Sequence, residues 1–325
     1  MVFVPEQTRQ ALQPFDIKQR VACRGAVAEY CRFYHLDFEQ DFKHVTHSCG
    51  YFDIAAYRVV AHSYIVPKAR GVVWVLHGYL EHSGLYRHII PVLLAANFSV
   101  IIYDLPAHGL SSGTRASIAS FNEYQTVLEH LIQYFKAYLP QPWLAIGQST
   151  GGAILMDYVL SKHTQKQQPM FERLFLLAPL VYPAKMQWLQ LKLAFWWFKS
   201  VRTGLPRIFR QNTSDINFVR FMREEDPLQA YWIPVAWLLS LKEWIEHIHN
   251  LPACHMPVWV VQGGQDKTVN GEYNLDFIGT KFKVQRTLWL TEASHQLVNE
   301  SDIFRKPISD CIKSFLMFDA KNGKK

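Results

Sequence analysis

The sequence predicts an α/β fold in which a mostly parallel central sheet is covered by helices on both faces. Short, continuous apolar segments recur along the chain, a pattern typical of strands that are buried on both faces. Helix-like stretches separate these segments, as the connections between parallel strands require. The 325 residues are 49% hydrophobic and 19% charged, which supports a large core and excludes a disordered or collagen-like chain.

The first elements lie outside this alternation. Residues 1–42 predict a mainly helical extension, with apolar side chains such as Ile17 and Val21 at helix-like spacing. Two β-rich segments follow, Val45–Ile54 and Tyr57–Val66, and they predict a leading antiparallel pair.

The core elements then alternate up to residue 182 and resume at residue 253. We therefore divide the chain into the extension 1–42, a core made of 43–182 and 253–325, and an inserted segment, 183–252. This Trp-rich insertion predicts a mostly helical cap over the carboxyl edge of the sheet. The predicted core strands are 71–77, 98–104, 143–147, 174–178, 257–262 and 287–290. The predicted core helices are 121–139, 152–162 and 301–318.

The composition also bears on the cellular compartment. No apolar stretch approaches the 18 or so residues of a membrane span, and the N-terminus lacks the pattern of a signal peptide. The five cysteines are dispersed, with no CxxC pair, which favours reduced thiols. We therefore expect a cytoplasmic protein, with peripheral association at the inner membrane face.

The motif Gly147-Gln-Ser149-Thr-Gly151 directly follows one predicted strand and precedes one helix. Small residues two before and two after a serine allow the strand and helix to pack closely while the serine Oγ projects above the sheet edge. A bare G-x-S-x-G is a weak signal, because a helix-start serine flanked by packing glycines has the same form. The strand–turn–helix context makes Ser149 the candidate nucleophile.

An acid and a histidine should follow the serine in that order. Asp266 lies in a Gly-rich turn after the strand 257–262, and His295 lies just after the strand 287–290. His295 would accept the Ser149 proton, and Asp266 would orient and stabilise the imidazole. Glu292 is the rival acid.

Backbone amides complete the predicted site. Gly78 lets the Tyr79 amide point inward after the first core strand, and the Thr150 amide is the second oxyanion donor. We interpret His77 as a supporting residue and Asp104 as a turn-stabilising one. This chemistry needs no cofactor and no metal.

Several segments together resemble the monoglyceride lipase and bacterial lysophospholipase family of α/β-hydrolases, over about residues 70–315. The resemblance implies the α/β-hydrolase fold, ester hydrolysis of single-chain acyl lipids, and the same triad and oxyanion residues. Two departures stand out: Pro106-Ala107 replaces a more usual Arg-Gly, and Gln148 and Thr150 replace the usual His and Met beside the serine. The segments are HGYLEHSGLY (77–86), DLPAHGLSSG (104–113), GQSTGG (147–152), GQDKTV (264–269) and SHQLVNE (294–300).

The cap carries the charge asymmetry. Residues 185–223 contain eight basic residues and one acid, a net charge equal to the +7 of the whole chain. Aromatic side chains interleave with these cations, which favours an anionic membrane surface over nucleic acid. A cap whose aromatics are simply buried core remains the alternative. The residues expected to contact the membrane are Lys192, Trp196, Trp197, Lys199 and Arg202.

We therefore expect a serine carboxylester hydrolase that releases a fatty acid from a single-chain lipid. A lysophospholipid is the first choice of substrate, because the cap is cationic. Monoacylglycerol lipase or general carboxylesterase activity is the alternative, and cofactor-free perhydrolases share the triad. A non-catalytic lipid-binding protein of the same fold is the rival from another class. Dehalogenases and epoxide hydrolases use a carboxylate nucleophile, which Ser149 excludes.

Overall fold

The computed structural model describes residues 3–184 and 204–318, and its centre is an eight-stranded sheet. The strand order is β1-β2-β4-β3-β5-β6-β9-β10, with β1 and β2 antiparallel and the other six strands parallel to one another. The predicted α/β fold is confirmed. The strands are β1 (Thr46–Ile54), β2 (Tyr57–Ile65), β3 (Val72–Leu76), β4 (Ser99–Tyr103), β5 (Trp143–Gln148), β6 (Leu174–Leu177), β9 (Pro257–Gly263) and β10 (Lys283–Leu290).

Helices cover both faces of this sheet, and the strand β3 shows why its sequence is apolar throughout. Trp74 and Leu76 face one apolar layer, whereas Val73 and Val75 face the other. Alternate side chains of a strand point to opposite faces, so a strand between two layers has no polar face. The helices outside the cap are α1 (Pro5–Ala11), α2 (Gly25–Phe33), α3 (Ile90–Ala95), α4 (Asn122–Lys136), α5 (Thr150–Thr164), α8 (Gly271–Lys281) and α9 (Asp302–Met317).

The N-terminal residues differ from the predicted helical extension. Ile17 and Val21 lie in an irregular segment between α1 and α2, so the helix expected from their spacing is wrong. Pro14 lies beside the edge strand and forms a bridge with Tyr51, because the chain here runs along β1. A proline lacks the backbone donor that a helix interior needs, which favours this extended path.

The described part of the cap combines helices with a small sheet that the sequence did not predict. Strands β7 (Gly204–Pro206) and β8 (Trp232–Pro234) pair antiparallel. Helix α6 (Ile216–Arg220) continues into a π-helical turn, and the long helix α7 (Val235–Asn250) packs on the core. The predicted membrane residues Lys192, Trp196, Trp197, Lys199 and Arg202 lie outside the described residues. No helix in the described ranges is long and apolar enough to cross a bilayer.

Candidate active site

Ser149 occupies the turn between β5 and α5 in a strained conformation, with φ of 50° and ψ of −112°. Its backbone is fixed on both sides, since its amide donates to Leu177 O (2.8 Å) and its carbonyl accepts from Leu180 N (3.1 Å). A Cβ at Gly147 would lie 2.5 Å from Gly152 N, and one at Gly151 would lie 2.2 Å from Leu76 O. The spacing of the motif is therefore a packing requirement of this turn.

Asp266 and His295 are brought together from two adjacent strand ends. Asp266 Oδ2 lies 2.7 Å from His295 Nδ1 and also accepts from Gln262 Nε2 at 3.0 Å. Asp266 Oδ1 accepts from the amides of Thr268 (2.7 Å) and Val269 (3.1 Å). These contacts fix the carboxylate and direct it at one ring nitrogen of the histidine.

The contact between Asp266 and His295 shifts the pKa values of both side chains from their ordinary values. Burial opposes the charged carboxylate, but His295 and the hydrogen bonds outweigh it and lower the pKa of Asp266. Burial likewise opposes a charged imidazole, but the Asp266 carboxylate outweighs it and raises the pKa of His295 above 6.5. The histidine thus gains basicity, which suits a group that must accept a proton.

The rival acids do not contact His295. Glu292 is exposed, and its carboxylate makes no hydrogen bond within the described ranges. Asp104 is buried; its Oδ1 accepts from Ser83 N at 2.8 Å, and its Oδ2 accepts from Leu110 N at 2.7 Å. This matches the interpretation of Asp104 as a turn-stabilising residue.

Ser149 lines a cavity of about 310 Å³. His295, Tyr79 and Thr150 line the same cavity. Within the described ranges, no hydrogen bond joins Ser149 Oγ to the imidazole. The two loops are connected through Gln148, whose Nε2 donates to the His295 carbonyl at 2.8 Å. The residue that departs from the family pattern beside the serine therefore holds the histidine loop in place.

Glu81 is a buried residue of the cavity wall, and no role was predicted for it from the sequence. Its Oε2 accepts from Gly78 N (3.0 Å) and Tyr86 Oη (2.7 Å), and its Oε1 accepts from Gln296 Nε2 (2.7 Å). The carboxylate thus ties the Gly78-Tyr79 turn to the residue after His295. Its place in the segment 77–86 was visible in the sequence, but its three partners converge only in the fold.

The cap contacts the same turn through aromatic and charged groups. The Trp237 ring of α7 stacks on Tyr79 with centroids 3.5 Å apart. Asp226, which is 3% exposed, accepts from Tyr34 Oη at 2.6 Å and lies 3.0 Å from His82 Nε2. Burial favours the neutral acid, but His82 and the hydrogen bonds lower the pKa of Asp226 to about 2. Asp226 thus connects the cap to both the N-terminal helix α2 and the loop after β3.

Metal ligands do not converge in this cavity. Within the described ranges, groups of three or more histidine, cysteine and carboxylate ligand atoms come together only at Cys23, Cys31 and His47, where His47 lies on β1.

A serine at a strand–helix turn, with a histidine–aspartate pair on later strand ends, defines the class of α/β-hydrolases. The sequence model of the family described as "Serine aminopeptidase, S33" matches residues 67–302, and the chain belongs to this family of serine hydrolases. It is a monoglyceride lipase-like member, as the sequence resemblance indicated.

The relatives agree with this placement. Monoglyceride lipase from Rattus norvegicus is 22% identical over 80% of this chain and 85% of its own length. Phospholipase YtpA from Bacillus subtilis is 24% identical over 61% of this chain and 77% of its own. The crystal structure of Paleococcus ferrophilus monoacylglycerol lipase shares the fold, with a TM-score of 0.67 and 20% identity over 82% of this chain and 98% of its own.

Proposed function

We propose that the chain hydrolyses the ester of a single-chain acyl lipid and that Ser149, Asp266 and His295 form its catalytic triad. The observation that carries the proposal is that His295, held by Asp266, lines the same cavity as the strained Ser149. The non-catalytic alternative would leave this strained, buried arrangement without a use.

In the proposed reaction, Ser149 Oγ attacks the ester carbonyl while His295 Nε2 accepts its proton. His295 then gives the proton to the departing alcohol, which leaves the acyl group bound as an ester to Ser149 Oγ. Water attacks this ester while His295 accepts its proton, and His295 returns the proton to Ser149 Oγ as the fatty acid leaves. Asp266 keeps the proton on Nδ1 and stabilises the imidazolium. The amides of Tyr79 and Thr150 would each stabilise the oxyanion by about 3 kcal/mol, and Thr150 stands at the N-terminus of α5, where the helix dipole adds to the effect.

A lysophospholipid is the substrate that we favour. The cavity wall carries the cations Arg207 and Arg210, and its one described carboxylate, Glu81, is already engaged by three donors. Arginine matches the geometry of a phosphate group, which a monoacylglycerol lacks. An aminopeptidase would be expected to have the opposite arrangement, in which carboxylates without other partners bind the amine of the substrate. Apolar side chains suited to an acyl chain line the rest of the wall, namely Phe209, Phe218, Met222, Leu238 and Leu241.

We also propose that the cap docks on an anionic membrane. In its described part, Ile208 and Trp232 are 70% and 57% exposed, and Arg210, two residues after Ile208, is exposed as well. Exposed apolar and cationic side chains together suit the headgroup layer. The five residues expected from the sequence to dock lie outside the described ranges, so the proposal depends on these neighbours.

The deciding experiment compares a lysophosphatidylglycerol with a monoacylglycerol of the same acyl chain. We expect kcat/KM to favour the lysophospholipid and Arg210→Gln to reduce that preference about tenfold, the equivalent of about 1.4 kcal/mol. Arg220→Gln is the control, because Arg220 belongs to the cap but not to the cavity wall. A preference for the monoacylglycerol would instead establish the alternative lipase activity. Failure of a fluorophosphonate to label Ser149 would support the non-catalytic alternative.

A further inference from the structure

Three of the five cysteines and two histidines lie close together where the N-terminal segment packs on β1 and β2. They are Cys23, Cys31, Cys49, His47 and His62. Cys23 lies between α1 and α2, and Cys31 lies on α2. His47 and Cys49 occupy alternate positions of β1, so their side chains point to the same face. All but the half-buried Cys23 are at most 2% exposed.

Three of the ligand atoms lie close enough to share one metal ion, and the one known distance among them matches tetrahedral coordination. Ligand atoms of Cys23, Cys31 and His47 all lie within 4.8 Å of one another. Cys23 Sγ lies 3.6 Å from His47 Nδ1. Cys49 is not one of these three residues, but it lies on the same face of β1 as His47, and its Sγ is 3.7 Å from His62 Nε2. Zinc–sulfur and zinc–nitrogen bonds of about 2.3 and 2.0–2.1 Å at tetrahedral angles give an S···N edge of about 3.6 Å.

A neighbouring histidine holds the His47 ring in the orientation that a ligand needs. His47 Nε2 lies 2.9 Å from His62 Nδ1, and His62 Nε2 lies 3.7 Å from Cys49 Sγ. If His47 donates from Nε2, its Nδ1 lone pair faces the thiols, and His62 can donate its remaining proton to the Cys49 sulfur. Tyr64 stacks on His47 with centroids 4.2 Å apart and fixes the ring plane. Such outer contacts are the usual companions of metal-bound histidine.

We propose that Cys23, Cys31, Cys49 and His47 bind one Zn²⁺ ion in a closed structural site. Three thiolates and one imidazole fill all four tetrahedral positions, so no position is left for water or substrate. Binding replaces three thiol protons with the metal and changes no oxidation state.

The location gives the ion a specific task. It would join the irregular segment and α2 to the edge strand β1, which otherwise meet through apolar contacts and few backbone hydrogen bonds. The chain continues from Cys31 on α2 to Tyr34, whose hydroxyl donates to Asp226 of the cap. Zinc at this site therefore stabilises the helix end on which one cap contact depends, at a distance from the reacting groups.

The test is the metal content of the full-length chain, expressed without a histidine tag and dialysed before elemental analysis. We expect about one zinc per chain, and less than a tenth of that in Cys31→Ser and in His47→Ala. Cys254→Ser and Cys311→Ser remove the two cysteines outside the cluster and should retain the metal. A strong chelator should lower the melting temperature of the wild type. It should not expose the thiols of the two control residues, Cys254 and Cys311.

A second measurement does not depend on whether the variants fold. Cobalt added to the metal-free wild type should produce the intense visible bands of tetrahedral Co²⁺ and a thiolate charge-transfer band, which zinc then abolishes. Two results would overturn the proposal. One is a metal-free protein with all thiols titratable and no cobalt spectrum. The other is an intact mass two hydrogen atoms short, with a Cys23–Cys31 or Cys23–Cys49 crosslink after proteolysis. Loss of zinc without loss of Ser149 labelling separates this site from the proposed esterase.

Discussion

The edge of the sheet that carries the proposed triad and the cap above it are built in opposite ways. At the sheet edge, Ser149 and His295 are buried and the Asp266 side chain is 2% exposed, and backbone amides or buried side chains fix each of them. The described part of the cap pairs two three-residue strands and leaves Ile208 and Trp232 largely in solvent.

This difference separates reaction from recognition. A strained turn and a buried ion pair persist only where the surrounding structure fixes them, as the strand ends do here. Exposed cap side chains contribute little to folding and are free to meet a lipid surface or headgroup. We therefore expect substitutions at the sheet edge to change turnover and substitutions in the cap to change substrate access.

The largest effect should come from Ser149→Ala. We expect ester hydrolysis to fall by about 10⁴- to 10⁶-fold, because the nucleophile is lost. The free energy of unfolding should hardly change, since the small Oγ contributes little packing. Turnover of a soluble p-nitrophenyl ester and chemical denaturation measure the two quantities. Activity above about 1% of wild type would contradict the assignment of the nucleophile.

Asp266→Asn tests whether the acid is chosen correctly. We expect a loss of about 10⁴ in kcat, because the amide favours the wrong imidazole tautomer. Glu292→Gln is the matched control: it makes the same chemical change on the same edge of the sheet, at an exposed residue. A large loss of kcat in Glu292→Gln, together with a nearly wild-type kcat in Asp266→Asn, would make Glu292 the acid of the triad.

Glu81→Gln tests whether the oxyanion turn is positioned by a buried carboxylate. Three donors converge on Glu81, and an amide would oppose one of them with its own N–H groups. We expect kcat to fall by about 10- to 100-fold with little change in KM, and stability to fall by about 1–3 kcal/mol. Tyr86→Phe removes one donor and should cause a smaller loss. A stability loss with unchanged kcat would make Glu81 purely structural.

The pH profile tests the electrostatics of the pair. His295 must be neutral to accept a proton, and Asp266 raises its pKa above 6.5. As the pH falls through that raised pKa, kcat/KM should decline, by about tenfold per pH unit below it. We expect the midpoint of this acid limb above 6.5, measured with an ester that does not titrate there. A midpoint below 6.5 would mean that burial outweighs the carboxylate.

The smallest effect should come from the cap surface. Trp232→Ser should weaken sedimentation with anionic vesicles about fivefold, since a partly buried aromatic side chain contributes on the order of 1 kcal/mol. Hydrolysis of a soluble ester should stay unchanged. Trp289→Ser is the matched control, because Trp289 is 42% exposed on β10, outside the cap. Equal losses in both variants would remove the distinction between the cap and the rest of the surface.

Much of the core could be predicted because its signals are local. Each of the parallel strands β3, β4, β5, β6 and β9 is a short apolar run, and the structure starts and ends each within two residues of the prediction. β10 begins at Lys283, before its predicted start, because it is an edge strand with exposed positions. The helix predicted through Ile17 and Val21 was wrong, because their backbone groups bond to other elements instead: the Ile17 amide donates to Tyr134 Oη, and the Val21 carbonyl accepts from Cys49 of β1.

The sequence by itself determined the α/β fold, the Ser149 turn and the order of the candidate acid and base, because each depends on neighbours in the chain. Only the tertiary structure placed Asp266 and not Glu292 against His295, gave Glu81 its three donors and gathered Cys23 and Cys31 beside His47. These choices depend on which side chains meet after the strands align, and no local pattern records a contact between residues far apart in the chain.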